Sequence, residues 1–140
     1  MPCVFFKPLH PDAVFPSRAT PDSAGLDLYA TQAYSIPPRT LRSIPTGLSV
    51  QIPSGHYGKI FDRSSLAIQQ IITLGGIIDS DYRGELIVML YNLSSETYCI
   101  QKGDRIAQLI CSPYIGHTYV QTSELSFTQR GLKGFGSSGK

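Results

Sequence analysis

The stretch GGIIDSDYRGELIVMLYN, residues 75–92, contains the pattern on which the fold prediction depends. Its second half, ELIVMLYN (85–92), is a short run of strand-forming residues, and DSDYRG (79–84) before it has the composition of a hairpin turn. Similar runs recur between turn clusters such as IPPRT (36–40) and IPSGH (52–56). The other runs are VFFK (4–7), GLSVQI (47–52), YGKIF (57–61), TYCI (97–100), RIAQLICS (105–112) and TYVQ (118–121).

Many short strands at close spacing predict one all-β domain, either a sandwich or a barrel. Apolar residues nowhere keep helical spacing over three turns, and there are no internal repeats. The exception is SSLAIQQII (64–72), where a serine at a possible cap position predicts a helix of one or two turns.

Composition excludes several classes of protein. At 140 residues the chain has the length of one domain, and it has no apolar run long enough to span a membrane. A net charge of +2 without a basic run argues against stable nucleic-acid binding. Only 16% of residues are charged, against about a quarter in typical domains, which suggests that partner subunits cover part of the surface.

The N-terminal segment and the cysteines predict the compartment. MPCVFFKPLHPDAV (1–14) is interrupted by lysine and proline where a secretion signal needs an unbroken apolar stretch. Cys3, Cys99 and Cys111 are odd in number and lack metal-ligand spacing, so we expect free thiols in a reducing compartment. The prediction is an intracellular protein of the cytoplasm or nucleus, with no membrane association.

Polar and glycine-rich residues concentrate in five stretches: SAGLDLYA (23–30), DRSSLA (62–67), GGIIDSDYRGE (75–85), GDRIAQLI (103–110) and RGLKGFGSSGK (130–140). Taken singly, each has a simple structural interpretation as a glycine turn before a strand, a helix start with a serine cap, a hairpin tip, a turn before a strand, or a disordered end. Residues 134–140 also fit G-x-x-x-x-G-K, but no helix can follow Lys140 to complete a phosphate-binding loop.

All five stretches, in this order, resemble the five motifs of the trimeric deoxyuridine triphosphatase (dUTPase) family, from about Pro21 to Lys140. The resemblance implies a dUTPase-like β-barrel or jelly roll with one short helix and a flexible C-terminal arm at roughly 127–140. It also implies Mg²⁺-dependent hydrolysis of dUTP to dUMP and pyrophosphate, which limits uracil in DNA and supplies dUMP for dTMP synthesis. The implied assembly is a homotrimer whose active sites are shared between chains.

By the same resemblance, Asp79 activates the water that attacks the α-phosphorus, with Asp81 as the competing candidate from sequence alone. Ser64 would contact the oxygen that bridges the α- and β-phosphorus, and Asp27 would support the phosphate region without touching substrate. Mg²⁺ would be held by the triphosphate and water rather than by protein ligands. Phosphate contacts are implied for Arg63, Ser64, Ser65, Gln108, Arg130, Ser137 and Ser138, and uracil or deoxyribose contacts for Gly76, Ile78, Tyr82, Ile87 and Phe135.

The roles of individual residues follow from the same comparison. Gly76 would let the base approach closely, and Ile87 would face it if the hairpin closes at Asp81–Tyr82. Tyr82 would lie against deoxyribose and exclude a 2′-hydroxyl. The arm would close over the nucleotide and stack Phe135 on uracil.

Three positions depart from the family pattern. Asp62 stands where proline is usual, which places a carboxylate next to Arg63 in sequence and predicts slower turnover or a shifted pH dependence. Lys133 replaces a usual glycine, and TLGG (73–76) precedes IID in place of the commoner variants. Two alternatives remain: a dCTP deaminase of the same fold, and a dUTPase-shaped protein that binds nucleotide and regulates partners. A compact chain with all five motifs favours the hydrolase.

Overall fold

A computed structural model of the chain describes residues 1–137 and residue 139. The regular elements within this part are β1 (Phe5–Pro8), β2 (Leu26–Tyr29), β3 (Tyr34–Ile36), β4 (Leu41–Gln51), β5 (His56–Phe61), α1 (Ser64–Ala67), β6 (Ile71–Leu74), β7 (Ile77–Ile78), β8 (Glu85–Asn92), β9 (Tyr98–Ile100) and β10 (Arg105–Pro113). The all-β prediction with one short helix is confirmed. In the described residues, no helix has the length and apolar character needed to cross a membrane.

The strands pair antiparallel in three sheets. The first sheet has the order β1-β4-β8-β6, the second has the order β2-β10-β5-β7, and β3 pairs with β9. Within the described part of the chain these are separate sheets rather than one continuous barrel. The core joins them, since Val88 of the first sheet and Ile60 and Leu109 of the second belong to one buried apolar cluster.

Strand β8 follows the predicted run ELIVMLYN residue for residue. Its side chains alternate between half-buried and buried, and Leu86, Val88 and Leu90 are at most 1% exposed. This alternation is what a strand requires when only one face of its sheet packs on the core. Because β8 lies between β4 and β6, it anchors the segment that leads to Asp79.

The sequence patterns missed part of one strand and predicted another strand, at 118–121, that does not form. The first half of β4 was not predicted, and its pairing with β8 shifts register between Pro45 and Ser49, where a proline interrupts the ladder. Residues 118–121, predicted as a strand, lie in exposed irregular chain. The helix is a single turn.

The chain changes sheets between β6 and β7. Strand β6 pairs with β8 in the first sheet, whereas β7 pairs with β5 in the second. The two residues between them, Gly75 and Gly76, have φ values of +64° and +95°, in the region that L-amino acids with side chains rarely adopt. The glycine pair therefore makes the crossing possible and delivers Asp79 just beyond the end of β7.

The three thiols are free. Cys3 and Cys99 are exposed, and Cys111 of β10 is half-buried. Burial raises the pKa of the Cys111 thiol above its ordinary value, because a thiolate loses hydration there.

Candidate active site

One group of predicted site residues surrounds the start of α1. Strand β10 lies between β2 and β5, and its Gln108 is opposite Asp27 on one side and Phe61 on the other. Arg63 lies near Gln108 and Asp27, because it follows the end of β5 and directly precedes α1. We call this group the arginine cluster, defined by Asp27, Arg63, Ser65, Arg105 and Gln108.

A buried carboxylate organises the arginine cluster. Asp27 is 8% exposed, and its two oxygens lie 3.5 Å from Arg63 Nε and 3.5 Å from Arg105 Nη1. Arg63 Nη1 also donates to the Arg105 carbonyl and to Ser65 Oγ, each at 3.2 Å. One carboxylate thus holds two guanidinium groups, whose remaining N–H donors are suited to an anion.

Arg105 is the cluster residue that the sequence argument missed. Its motif, GDRIAQLI, was recognised, but no role was assigned to its arginine. The side chain is 47% exposed, so its free donors face solvent while Asp27 holds one end. The available signal was a cation at the first residue of a strand whose fourth residue, Gln108, was already a site candidate.

The position of the Gln108 side chain explains why residue 25, in the first motif, is glycine. Its Nε2 donates to the Asp62 carbonyl at 2.8 Å, which leaves the second N–H of the amide for another acceptor. A Cβ on Gly25 would lie 2.3 Å from Gln108 Oε1, so only glycine leaves room for this side chain. The first and fourth motifs are therefore in direct contact.

The serines next to Arg63 do not cap the helix. Arg63 itself occupies the N-cap position, with no side-chain cap hydrogen bond, so the prediction of a serine cap was wrong. Ser64 and Ser65 are both exposed. Both residues lie at the start of α1, and the Ser65 hydroxyl accepts a hydrogen bond from the Arg63 guanidinium.

The Asp62 carboxylate, adjacent to Arg63 in sequence, makes its hydrogen bonds to Thr73. Its Oδ1 accepts hydrogen bonds from both the backbone N–H and the hydroxyl of Thr73, each at 2.5 Å. The carboxylate that pairs with Arg63 is Asp27. Asp62 thus connects the loop before α1 to strand β6.

The turn that carries Asp79 differs from the one considered from sequence. Tyr82 N donates to the Asp79 carbonyl at 3.1 Å, so the turn centres on Ser80 and Asp81 rather than on Asp81 and Tyr82. The flanking segments are not a two-stranded hairpin, because β7 pairs with β5 while β6 pairs with β8. Asp79 is the first residue of the turn, it follows β7, and it is exposed.

A second group of predicted residues lines one cleft of about 210 Å³, which we call the hairpin cleft. Its lining brings together Asp79 and four of the residues assigned to uracil or deoxyribose, even though the turn is not the expected one. The lining residues are Gly76, Ile77, Ile78, Asp79, Tyr82, Glu85, Ile87 and Met89.

Ile78 and Tyr82 occupy different environments within this cleft. Ile78 is 9% exposed and belongs to the core, so it forms the floor of the cleft. The Tyr82 hydroxyl donates to the Glu85 carbonyl at 2.8 Å, which folds the ring back over Gly84. A Cβ on Gly84 would lie 2.4 Å from that hydroxyl oxygen, so this glycine makes the conformation of Tyr82 possible.

Gly76 has a structural reason of its own to be glycine. Besides its positive φ, a Cβ there would lie 2.9 Å from the Ile60 carbonyl oxygen. Its own carbonyl accepts a hydrogen bond from Ile60 N at 2.8 Å. Close approach of β5 therefore accounts for this position without a bound base.

Asp79 also borders a larger cleft of about 620 Å³. This second cleft is lined by His56, Tyr57, Ile77, Asp79, Ser80, Asp81 and Tyr114. Asp79 thus lines both clefts and is exposed, as a group that meets a water molecule must be. Asp81 borders only the larger of the two clefts, which separates it from the residues assigned to the nucleoside.

The described part of the arm, 127–137 and residue 139, contributes to neither group. Phe135 is fully exposed, and Arg130 Nε donates to the nearby Lys133 carbonyl at 2.9 Å. Ser137 N donates within the arm, to the Gly134 carbonyl at 3.1 Å. Ser138, the remaining predicted phosphate contact, lies outside the described residues.

The side chains of the site indicate how a metal ion could be held there. Among the described residues, no group of three or more His, Cys, Asp and Glu side chains is arranged to hold a metal. The buried carboxylate of the arginine cluster, Asp27, already faces two guanidinium groups. These residues fit an Mg²⁺ ion whose ligands are phosphate oxygens and water, which is a common arrangement for this ion.

Comparisons with known proteins agree with the motifs. A family model described as dUTPase matches residues 12–139. The deoxyuridine 5′-triphosphate nucleotidohydrolase of avian adenovirus 8 is 45% identical over 97% of this chain and 84% of its own. That of Paramecium bursaria Chlorella virus 1 is 41% identical over 99% of each chain. A structure of the Staphylococcus bacteriophage 80alpha dUTPase with dUPNHPP superposes with a TM-score of 0.92 at 28% identity, covering 99% of each chain.

Proposed function

This chain belongs to the dUTPase family, and from that premise we propose that it hydrolyses dUTP to dUMP and pyrophosphate. The observation that carries the proposal is the hairpin cleft. Asp79 lines this cleft together with Gly76, Ile78, Tyr82 and Ile87, which the family resemblance assigns to the nucleoside, and this shared lining supports the proposal. Asp79 is thus the candidate base beside a pocket for the sugar and base of the substrate.

The proposed reaction assigns a role to each of these residues. Asp79 accepts a proton from a water molecule, whose oxygen attacks the α-phosphorus. The bond from the α-phosphorus to the bridging oxygen breaks, and pyrophosphate leaves with the electron pair. The arginine cluster and the hydroxyls of Ser64 and Ser65 stabilise the negative charge that builds on the leaving group. A bound Mg²⁺ would further neutralise the triphosphate.

Asp27 supports this chemistry without touching substrate. Because its carboxylate lies between Arg63 and Arg105, it keeps two cations close together before any phosphate arrives. Without it the two guanidinium groups would repel each other and spread into solvent. The cluster is therefore preorganised for an anion, which lowers the cost of binding the triphosphate.

The test is pyrophosphate release from dUTP, with dCTP, dTTP and UTP as competing substrates and with EDTA as the metal-free control. We expect activity on dUTP alone and its loss in EDTA. Ammonia release from dCTP would instead indicate a deaminase. Tight nucleotide binding without turnover of any of the four would indicate a regulatory protein.

We further propose a homotrimer whose sites combine residues from different chains. The arginine cluster and the hairpin cleft are lined by two distinct sets of residues in one chain, and the described part of the arm contacts neither set. A triphosphate must reach cations at one end while its nucleoside occupies the cleft. Assembly of copies around a threefold axis offers a way to bring these parts together.

Mixed trimers test this arrangement. An Asp79→Asn protein and a protein truncated after Arg130 should each be inactive alone. If Asp79 and the arm of one site come from different chains, every mixed trimer has one working site in three. An equal mixture unfolded and refolded together should then regain about a quarter of the wild-type activity. If the arm serves the Asp79 of its own chain, no mixture regains activity.

A further inference from the structure

Asp62 makes an unusual set of contacts between the two groups of site residues. Its carboxylate accepts from Thr73 N and Thr73 Oγ1, and its backbone carbonyl accepts from Gln108 Nε2 at 2.8 Å. Thr73 lies in β6, two residues before the glycine pair that leads to Asp79, whereas Gln108 belongs to the arginine cluster. One residue therefore touches the arginine cluster and the strand that enters the hairpin cleft.

The contact with Thr73 satisfies a free sheet edge. Strand β6 is the outer strand of its sheet, so alternate backbone N–H groups along it have no neighbouring strand. At Thr73 this donor finds the Asp62 carboxylate, and the threonine hydroxyl adds a second hydrogen bond to the same oxygen. A charged acceptor makes both bonds stronger than those between neutral partners.

We propose that Asp62 is a positioning residue for the reaction: it holds β6, and with it the segment from Gly75 to Tyr82, in fixed relation to the arginine cluster. This inference rests on the function proposed above. In a shared-site trimer the two ends of the contact serve neighbouring sites, so one side chain positions parts of both. The alternative is that Asp62 acts through its charge on the adjacent Arg63.

Three substitutions separate these explanations. Asp62→Asn keeps an acceptor oxygen for Thr73 but removes the charge. Asp62→Ala removes both the acceptor and the charge. Thr73→Val keeps the backbone donor and the shape of the side chain but loses the hydroxyl, so it weakens the contact from the other side. Because Asp62 is only half-buried, water can hydrate Thr73 N in the alanine variant, and we expect all three proteins to fold.

The kinetic test measures kcat and KM for dUTP. Positioning predicts that Asp62→Ala lowers kcat on the order of tenfold, because small displacements of a catalytic group are costly. Thr73→Val should lower kcat about threefold, as the loss of one hydrogen bond allows. Asp62→Asn should restore kcat to within about twofold of wild type. The double variant Asp62→Ala/Thr73→Val should equal Asp62→Ala, since the hydroxyl then has no partner.

The opposite pattern would overturn the proposal. If Asp62 acts by charge, Asp62→Asn and Asp62→Ala should change kcat and KM equally, and Thr73→Val should change neither. A merely structural role would lower the free energy of unfolding in Asp62→Ala while kcat at full substrate saturation stayed at the wild-type value.

Amide exchange provides a readout that does not depend on activity. In the ligand-free protein, hydrogen exchange at Thr73 N should be faster in Asp62→Ala than in wild type and intermediate in Asp62→Asn, whose neutral oxygen is a weaker acceptor. Unchanged exchange in Asp62→Ala would refute the contact itself. If wild-type protein does not hydrolyse dUTP but the exchange pattern holds, the proposed function fails while the contact stands.

Discussion

Gly76 and Gly103 form a matched pair of positions for testing how the chain delivers Asp79. Both have positive φ, +95° and +86°, so alanine is strained by backbone conformation at either position. They differ in their surroundings. A Cβ on Gly103 would meet open space, whereas a Cβ on Gly76 would lie 2.9 Å from the Ile60 carbonyl oxygen and 3.2 Å from Ile60 Cβ.

The expected costs follow from this difference. Each alanine should lose about 1–3 kcal/mol of unfolding free energy to backbone strain, and these losses largely cancel between the two variants. Overpacking against the Ile60 carbonyl adds about 1–3 kcal/mol to Gly76→Ala alone. Relief by backbone movement is hindered, because the hydrogen bond from Ile60 N to Gly76 O would be lost, at a cost of about 1 kcal/mol.

Urea denaturation of both variants at the same protein concentration measures the difference, since an oligomer's stability depends on concentration. We expect Gly76→Ala to be less stable than Gly103→Ala by about 1–3 kcal/mol. Because Asp79 follows three residues later, kcat for dUTP should also fall on the order of tenfold or more in Gly76→Ala. Gly103→Ala should retain wild-type kcat. Equal stability and equal kcat in the two variants would refute the argument that contact with β5 places the Asp79 turn.

Three further outcomes are expected. Asp79→Asn should fold and bind dUPNHPP but lose at least about 10²-fold in kcat, because the water loses its base; undiminished turnover would move this role to another residue. Tyr82→Ala should raise the ratio of kcat/KM for UTP to that for dUTP by about tenfold, and an unchanged ratio would exclude Tyr82 as the barrier to ribose. At pH 8, iodoacetamide should modify Cys111 more slowly than Cys3 and Cys99, because burial raises the pKa of the Cys111 thiol and leaves less reactive thiolate. Its rate should therefore rise with pH over a higher range than is usual for a cysteine, and equal rates for all three thiols would contradict this assignment.

Local sequence patterns predicted much of the fold, and the family resemblance named most of the residues around the hairpin cleft. The run of strand-forming residues in 85–92 identified β8 with its bounds, and turn clusters between such short runs identified an all-β domain. The hairpin cleft was also foreseeable, because its lining falls within residues 76–89. Residues so close in sequence around a turn stay close in space whichever two residues the turn centres on.

The remaining features depended on how the two sheets pair. The contact of Asp62 with Thr73 depends on the position of β6 at a sheet edge. The residues next to Asp62 in sequence do not reveal that position. The pairing of Asp27 with Arg105 joins β2 to β10 across most of the chain, so no short pattern contains it. The turn after Asp79 centres one residue earlier than the hairpin considered from sequence, because β7 pairs with β5 and not with β8. Strand and turn propensities act over a few neighbouring residues, whereas the partner of a polar side chain is determined by strands that meet only after folding.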